Sequence, residues 1–333
     1  MMTKSIFVTG ANGFIGSHLT EKLVEEGYKV KALSEYNSFN DIGWLNDAKP
    51  DILRELEIVS GDVRDAGQMM REVRGYDYVL HLASLIAIPY SYYAPQSYID
   101  TNISGALNIL NAAREHNAEV IHTSTSEVYG TAEYVPIDEK HPLKGQSPYS
   151  ASKIGADQLA FSFFSSFGLP VKIIRPFNTF GPRQSMRAVI PVIIGQILSG
   201  ATKIKLGALD PKRDFNFIED TVEGFLSALK SQNGVGQVTN IGSGFEITVR
   251  DTALLIAEIM DCKVEFISDE QRVRPKASEV DRLLCDNRKA KERFGWRPVF
   301  SDQQGLKDGL SKTINWFSDP RNISKYRTAE YQI

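Results

Sequence analysis

The stretch that decides the fold is Ser5-Ile-Phe-Val-Thr-Gly-Ala-Asn-Gly-Phe-Ile-Gly16. Its first five residues favour a buried strand, and the apolar spacing that follows predicts a helix over residues 16–26. Between the two, Gly10, Gly13 and Gly16 permit a tight turn and let a pyrophosphate approach the backbone at the helix N-terminus. The spacing is GxxGxxG instead of GxGxxG, so an ordinary glycine-rich strand-to-helix turn is the alternative interpretation.

Strand-like and helical segments alternate through the first half of the chain. Strands are predicted at residues 5–9, 28–33, 56–60, 77–82, 118–123 and 170–174, and helices at 16–26, 66–73, 96–116 and 148–167. This order predicts an α/β fold, with a Rossmann-type doubly wound parallel sheet and helices on both faces.

The second half has shorter and more mixed elements. Helices are predicted at residues 186–198, 248–260 and 303–317, and strands at 203–206 and 263–267. We therefore predict an NAD-binding Rossmann domain over residues 1–177 and a smaller α/β substrate-binding lobe over 178–333. Segments near 214–244 are expected to return to the main sheet.

The composition is that of an ordinary globular protein of 333 residues, with 42% hydrophobic and 24% charged residues and a net charge of −3. This charge gives no reason to expect nucleic acid or a membrane surface as a partner. Cys262 and Cys285 are too few for a disulfide framework, and no His, Cys and Asp spacing suggests a metal. No apolar run has the length of a signal peptide or transmembrane helix, so a cytoplasmic location is expected.

The end of the second predicted strand bears on the choice of cofactor. It reads Leu33-Ser-Glu-Tyr36, which puts Glu35 near the position that binds the ribose hydroxyls of an adenosine. Since no arginine sits there to receive a 2′-phosphate, NAD is favoured over NADP. A solvated loop residue is the alternative role for Glu35.

Two motifs indicate chemistry: Ser124-Thr-Ser-Glu-Val-Tyr-Gly130 and Tyr149-Ser-Ala-Ser-Lys153. Tyr149 and Lys153 lie four residues apart, on one face of a predicted helix. An ammonium beside a phenol stabilises the phenolate, so the pair predicts a base with a lowered tyrosine pKa. Glu127 adds a carboxylate near that base, which indicates proton abstraction besides redox chemistry. The alternative role for Glu127 is that of a helix N-cap neighbour.

Six motifs together resemble the extended short-chain dehydrogenase/reductase family: residues 10–16, Gly61-Asp-Val63, His81-Leu-Ala83, 124–130, 149–153 and Arg175-Pro-Phe-Asn178. The resemblance covers nearly the whole chain and follows the family's order. It implies that Asp62 contacts adenine, that Lys153 contacts the nicotinamide ribose and that Tyr149 is the catalytic base. The implied NAD contacts are Gly10, Gly13, Phe14, Ile15, Gly16, Glu35, Asp62, Val63, Leu82, Ala83, Tyr149 and Lys153.

The same resemblance bears on the substrate. Asn178 is implied to lie near a substrate diphosphate, and Arg213 and Arg274 resemble phosphate-binding arginines. A surface salt bridge is the alternative role for each arginine. Residues 274–296 resemble the C-terminal region of GDP-mannose dehydratases. Residues 86–88, 136–142 and 181–185 look most like dehydratases acting on UDP- or GDP-N-acetylglucosamine in bacterial legionaminic-type sugar pathways.

The resemblance implies NAD-dependent 4,6-dehydration of a nucleotide-activated hexose to a 4-keto-6-deoxy sugar. The implied catalytic residues are Thr125, Ser126, Glu127, Tyr149 and Lys153. Glu127 would remove the carbon 5 proton, and either Glu127 or Ser126 would assist the departing water. The alternatives are a UDP-glucuronate decarboxylase, a nucleotide-sugar epimerase and, from a different class, a non-catalytic NAD-binding regulatory protein.

Apolar residues on two predicted helices suggest a homodimer. They are Ile99, Ile103, Leu107 and Leu110 on residues 96–116, and Leu159, Phe163, Phe164 and Phe167 on residues 148–167. They extend beyond a single stripe, and excess apolar helix surface marks an interface. The resemblance implies that two such helices from each subunit form a four-helix bundle.

Overall fold

The computed structural model describes residues 4–326. Its strands are β1 (Ser5–Thr9), β2 (Lys29–Glu35), β3 (Leu56–Gly61), β4 (Tyr78–His81), β5 (Glu119–Thr123), β6 (Val171–Pro176), β7 (Asn178–Phe180), β8 (Lys203–Leu206), β9 (Lys212–Phe217), β10 (Gln237–Ile241), β11 (Glu246–Thr248) and β12 (Glu265–Ser268).

The α-helices are α1 (Phe14–Glu25), α2 (Pro50–Glu55), α3 (Ala66–Glu72), α4 (Ile88–Tyr93), α5 (Pro95–Tyr98), α6 (Gly105–His116), α7 (Pro148–Phe167), α8 (Val189–Leu198), α9 (Ile218–Lys230), α10 (Val249–Ile259), α11 (Arg288–Phe294), α12 (Gln303–Ser318) and α13 (Pro320–Ile323). No helix within residues 4–326 is long and apolar enough to cross a membrane.

Seven parallel strands form the main sheet, in the order β10-β6-β5-β4-β1-β2-β3. The predicted Rossmann-type sheet is therefore confirmed. All of β6 and the last four residues of β1 are buried, as expected where helices cover both faces. The strand order reverses between β1 and β4, and ligands of such folds bind beyond the carboxyl ends of the strands at this point.

Residues after β6 build two small sheets, of order β11-β9-β7 and β12-β8. The strand β10 instead joins the main sheet beside β6, where Val238 pairs with Ile173. Chain segments that follow β6 thus contribute to the main sheet as well as to the two small sheets.

The predicted helix over residues 96–116 is interrupted by a π-helical segment, Ile99–Ser104. The buried Asn102 side chain lies in this segment and accepts a hydrogen bond from the Leu85 amide at 2.8 Å. It also donates to the Leu85 carbonyl at 3.0 Å and to the Ser152 hydroxyl at 2.9 Å. The wider turn places this amide against the loop after β4, a tertiary contact that apolar periodicity does not encode.

Candidate active site

The glycine turn is closed by backbone contacts that leave no room for side chains. A Cβ on Gly10, whose φ is +67°, would lie 2.7 Å from the Ala83 amide nitrogen. A Cβ on Gly16 would lie 2.0 Å from the Gly10 carbonyl oxygen. Helix α1 follows Gly13 with no side chain capping it, so its first amides point to where a pyrophosphate would bind. This cradle fits the phosphates of a dinucleotide.

Substituting Gly16 with alanine tests this turn. The added methyl group must displace the Gly10 carbonyl, so we expect NAD affinity to fall at least about tenfold, with a smaller rise in melting temperature on adding NAD. The matched control is Gly67→Ala on α3, where the nearest atom outside the helix backbone is 3.4 Å away. Unchanged NAD affinity in Gly16→Ala, measured by calorimetry, would contradict the assignment.

The predicted adenosine site is a pocket lined by Glu35, Tyr36, Ser60, Gly61, Asp62, Arg64, Asp65 and Gln68. No arginine lies at the end of β2, as predicted, but Arg64, which follows β3, also lines this pocket. Its guanidinium Nε contacts both Asp62 carboxylate oxygens, at 3.0 and 2.9 Å, and this lowers the pKa of Asp62. Sequence reasoning considered only the end of β2 and therefore did not identify Arg64. Glu35, Asp62 and Asp65 outnumber the one arginine of this pocket, which opposes a 2′-phosphate.

Tyr149 and Lys153 both lie on the buried face of α7. A capping box between Ser147 and Ser150 fixes the start of this helix. The Lys153 Nζ donates a hydrogen bond to the Thr123 carbonyl at the end of β5, at 2.7 Å. The two predicted members of the base are therefore held against the carboxyl end of the central sheet.

Burial controls the proton affinities of this pair. Burial raises the pKa of the Tyr149 phenol above its usual value, although a hydrogen bond with Thr125 opposes the rise. Burial also lowers the pKa of Lys153 to about 8, and Asp157 opposes that fall. The predicted net lowering of the tyrosine pKa is thus wrong for this arrangement, because desolvation of the phenolate outweighs the stabilising contacts.

The predicted catalytic carboxylate lies on a 3-10 helix, Ser126–Tyr129, which with Thr125 we call the glutamate turn. The Thr125 hydroxyl caps it by accepting a hydrogen bond from the Glu127 amide at 3.2 Å. Glu127 is only 9% exposed and acts electrostatically on both Tyr149 and Arg213. The turn therefore brings Thr125, Glu127 and Tyr149 together, beside Arg213.

The predicted substrate residues all follow β6 in the chain. Asn178 begins β7, whose neighbour β9 carries Arg213, and the buried Asn178 Oδ1 has no hydrogen-bond partner within residues 4–326. Arg213 pairs with Glu279 at 3.1 Å, and Arg274 lies 3.8 Å from the same carboxylate oxygen. Burial lowers the pKa of Arg213. Sequence reasoning assigned no role to Glu279, which brings the two arginines together.

His81 and His122, treated from sequence as structural residues, are buried side by side beneath the site. Their rings lie 5.6 Å apart, and His81 Nδ1 is 2.8 Å from the Thr9 hydroxyl. Burial lowers the pKa of both imidazoles, so both are neutral near pH 7.

Comparisons with known proteins agree with this geometry. The sequence model of the family described as GDP-mannose 4,6 dehydratase matches residues 7–309. The UDP-glucuronic acid decarboxylase 1 of Danio rerio is 32% identical over 327 residues, covering 95% of this chain and 73% of that protein.

Two solved structures share the fold. The dTDP-glucose 4,6-dehydratase of Streptomyces venezuelae, crystallised with NAD, is 30% identical over 95% of this chain and 98% of its own, with a TM-score of 0.83. The UDP-N-acetylglucosamine 4-epimerase of Methanobrevibacter ruminantium M1, in complex with UDP-N-acetylmuramic acid, is 29% identical over 98% of this chain and 100% of its own, with a TM-score of 0.84. With the glycine cradle and the Tyr149–Lys153 pair, these matches mean that the chain belongs to the GDP-mannose 4,6-dehydratase family, among the nucleotide-sugar dehydratases, epimerases and decarboxylases of the extended short-chain dehydrogenase/reductases.

Proposed function

We propose that this enzyme is an NAD-dependent nucleotide-sugar 4,6-dehydratase. The observation that carries the proposal is the placement of Glu127, a buried carboxylate on the glutamate turn close enough to affect the proton affinity of Tyr149. A 4-epimerase needs one base, for the hydroxyl at carbon 4. A dehydratase needs a second one for carbon 5, and Glu127 supplies it.

The first half of the reaction is oxidation at carbon 4. The glycine cradle and the pocket of Glu35 and Asp62 would hold NAD, which would supply the redox chemistry by accepting the hydride of carbon 4 and returning it at carbon 6. Tyr149 takes the proton of the 4-hydroxyl, and the Thr125 hydroxyl binds the same oxygen. The Lys153 ammonium, fixed by the Thr123 carbonyl, offsets the negative charge that forms on Tyr149.

The second half is elimination of water. A ketone at carbon 4 acidifies the proton at carbon 5, and Glu127 removes it. Ser126 is buried on the same turn, and either Ser126 or Glu127 assists the departing water at carbon 6. The 4-keto-6-deoxy sugar is complete when carbon 6 takes up the hydride and carbon 5 regains a proton that has exchanged with solvent. Arg213 and Arg274 bind the diphosphate and thereby hold the sugar beneath Tyr149, while Asn178 donates to the same group.

The substrate that fits the sequence motifs best is UDP- or GDP-N-acetylglucosamine, in bacterial surface-sugar biosynthesis. The free thiols Cys262 and Cys285 suit a reducing compartment, so we place the activity in the cytoplasm. The second candidate is UDP-glucuronate decarboxylation, which the similarity to the decarboxylase of Danio rerio favours. It shares the oxidation at carbon 4 but releases carbon dioxide.

A panel of nucleotide sugars separates these activities. Purified enzyme is incubated with UDP- and GDP-N-acetylglucosamine, GDP-mannose, dTDP-glucose and UDP-glucuronate, and the products are analysed by mass spectrometry. We expect loss of water from an N-acetylglucosamine nucleotide without added oxidant, and deuterium at carbon 5 in deuterated water. Loss of carbon dioxide, or isomerisation without a mass change, would identify a decarboxylase or an epimerase instead.

We also propose a homodimer, formed through α6, α7 and the π-helical segment. Ile99, Leu107, Phe161 and Phe167 are 37–50% exposed there. Leu110 and Phe163, predicted to extend this surface, are instead buried in their own chain, because they face the sheet. The Phe167 ring lies 4.0 Å from the Arg114 guanidinium, which joins the two helices at one end of the surface.

Replacing both Leu107 and Phe161 with glutamate is expected to convert the dimer to a monomer, because four charges would face one another across a two-fold interface. Light scattering at micromolar concentration measures the mass. The control is Leu254→Glu, on α10, because this leucine is as exposed as Phe161 and more exposed than Leu107. A monomeric mass of the unmodified protein would contradict the proposal.

A further inference from the structure

Asp157 lies two turns beyond Tyr149 and one turn beyond Lys153 on the same face of α7, and it is 1% exposed. The Ser124 hydroxyl donates to its Oδ2 atom at 2.7 Å, and the Arg175 Nε and Nη2 atoms donate to the same oxygen at 3.1 and 2.9 Å. The His122 Nε2 lies 3.3 Å from the other oxygen. A buried carboxylate with these contacts joins α7 to both β5 and β6.

These contacts reach both ends of the glutamate turn. Ser124 immediately precedes Thr125, where the turn begins. At its other end, the Tyr129 hydroxyl accepts a hydrogen bond from Arg175 Nη1 at 3.0 Å and donates to Asn240 Oδ1 at 2.7 Å. Since Glu127 lies between these two anchored points, its position relative to Tyr149 depends on the Asp157–Arg175 pair.

The same carboxylate governs the charge next to the base. Asp157 is the group whose electrostatic effect opposes the loss of the proton from buried Lys153. The titratable and charged groups around Tyr149 and Lys153 come from five elements and the glutamate turn. They are Tyr149 and Asp157 of α7, Tyr98 of α5, His81 of β4, His122 of β5, Arg175 of β6, and Glu127 facing Tyr149. Within the buried set of α7, β4, β5 and β6, Asp157 is the one group that is negative near pH 7.

We propose that Asp157 is a positioning residue, which anchors the glutamate turn at both ends and places a buried negative charge one helical turn from Lys153. This inference rests on the proposed function, in that Tyr149 with Lys153 is the base for carbon 4 and Glu127 is the base for carbon 5. We assign Asp157 no direct contact with substrate or cofactor. It acts through Ser124, Arg175 and Lys153.

The electrostatic effect of Asp157 on Lys153 is tested with Asp157→Asn, which removes the charge and keeps the size of the side chain. We expect the alkaline limb of the pH profile of kcat/KM to move down by about one pH unit, because Lys153 then loses its proton more readily. Asp157→Glu, which restores the charge, should return the limb toward its original position. A lower kcat/KM at every pH, with the alkaline limb at its original position, would overturn the electrostatic role of Asp157.

The control for damage to a buried ion pair is Glu119→Gln. Glu119 pairs with Lys172 at 2.6 Å, across the same strands β5 and β6 but at their other end. This variant is expected to lower the melting temperature and leave the alkaline limb in place. If the alkaline limb moves equally in Glu119→Gln, the shift results from weaker packing between β5 and β6 and not from the charge of Asp157.

The anchoring is tested with Ser124→Ala and Tyr129→Phe, which remove one hydroxyl each and no charge. Ser124→Ala loses one buried hydrogen bond and should lower kcat about three- to tenfold. Tyr129→Phe loses two, to Arg175 and Asn240, and should lower kcat at least as much. The alkaline limb should stay unmoved in both. Because carbon 5 deprotonation depends on the position of Glu127, reduced nicotinamide should accumulate during turnover. Full kcat in both variants would overturn the anchoring role, whatever the behaviour of Asp157→Asn.

A measurement without substrate separates this inference from the proposed function. In protein labelled with ¹³C at the lysine ε-carbons, Lys153→Met identifies the Lys153 resonance, and its pH titration gives the midpoint directly. We expect the midpoint to fall by about one pH unit in Asp157→Asn. A shifted midpoint in an enzyme that dehydrates no sugar would reject the function and keep the role of Asp157, whereas an unshifted midpoint would reject that role.

Discussion

Replacing Glu127 with glutamine is expected to give an enzyme that reduces its bound NAD on meeting substrate and then stalls. Oxidation at carbon 4 uses Tyr149 and Lys153, which this change leaves intact. Deprotonation at carbon 5 needs a carboxylate, and loss of a positioned general base costs about 10²–10⁴-fold in rate. Stopped-flow absorbance of reduced nicotinamide, followed by chemical quench for the 4-keto-6-deoxy product, measures the two steps separately.

The control for Glu127→Gln is Glu133→Gln, an exposed carboxylate just past the glutamate turn. It should turn over like the unmodified enzyme, with no build-up of reduced cofactor. Dehydration at a near-normal rate by Glu127→Gln would show that the carboxylate only stabilises the turn. Only the broader assignment, a nucleotide-sugar oxidoreductase, would then remain.

Replacing Tyr149 with phenylalanine is expected to stop the reaction earlier, before any cofactor is reduced. The phenol oxygen is the group that takes the proton of the 4-hydroxyl, and phenylalanine fills the same buried space without it. We expect kcat to fall about 10²–10⁴-fold, with no transient of reduced nicotinamide in stopped-flow measurements. NAD binding should persist, because this hydroxyl forms no part of the glycine cradle or of the pocket of Glu35 and Asp62.

Tyr134→Phe is the matched control, since the Tyr134 hydroxyl is bonded to Asp138 at 2.7 Å on a side chain that is 45% exposed. It should retain full activity. A reduced-cofactor transient of normal rate in Tyr149→Phe would mean that another group takes the proton from the 4-hydroxyl. The pair Tyr149→Phe and Glu127→Gln thus separates oxidation from elimination in one chain.

Sequence by itself determined the main sheet and the local motifs. Continuous apolar runs such as Ser5–Thr9 predict buried strands because a parallel sheet is covered on both faces. Gly10 and Gly16 can be recognised in the sequence as parts of a nucleotide-binding turn, because the backbone of that turn leaves no room for a side chain at either position. Tyr149 and Lys153 are found from their spacing of four, since helical periodicity alone puts them on one face.

Tertiary structure decided what depends on contacts between distant segments. Arg64 enters the adenosine pocket because β2 and β3 are neighbours, and Glu279 meets Arg213 across 66 residues of chain. Apolar spacing predicts that Leu110 and Phe163 lie on an exposed helix face, yet both are buried against the sheet. Helix periodicity does not specify which face of a helix meets the sheet. The pKa of Tyr149 is raised, whereas the sequence predicts that it is lowered, since desolvation depends on everything that surrounds the phenol. Asp157 extends the spacing of Tyr149 and Lys153 by one more turn. Its contacts with Ser124 and Arg175, and the contact of Arg175 with Tyr129, exist only because distant segments meet in the folded chain.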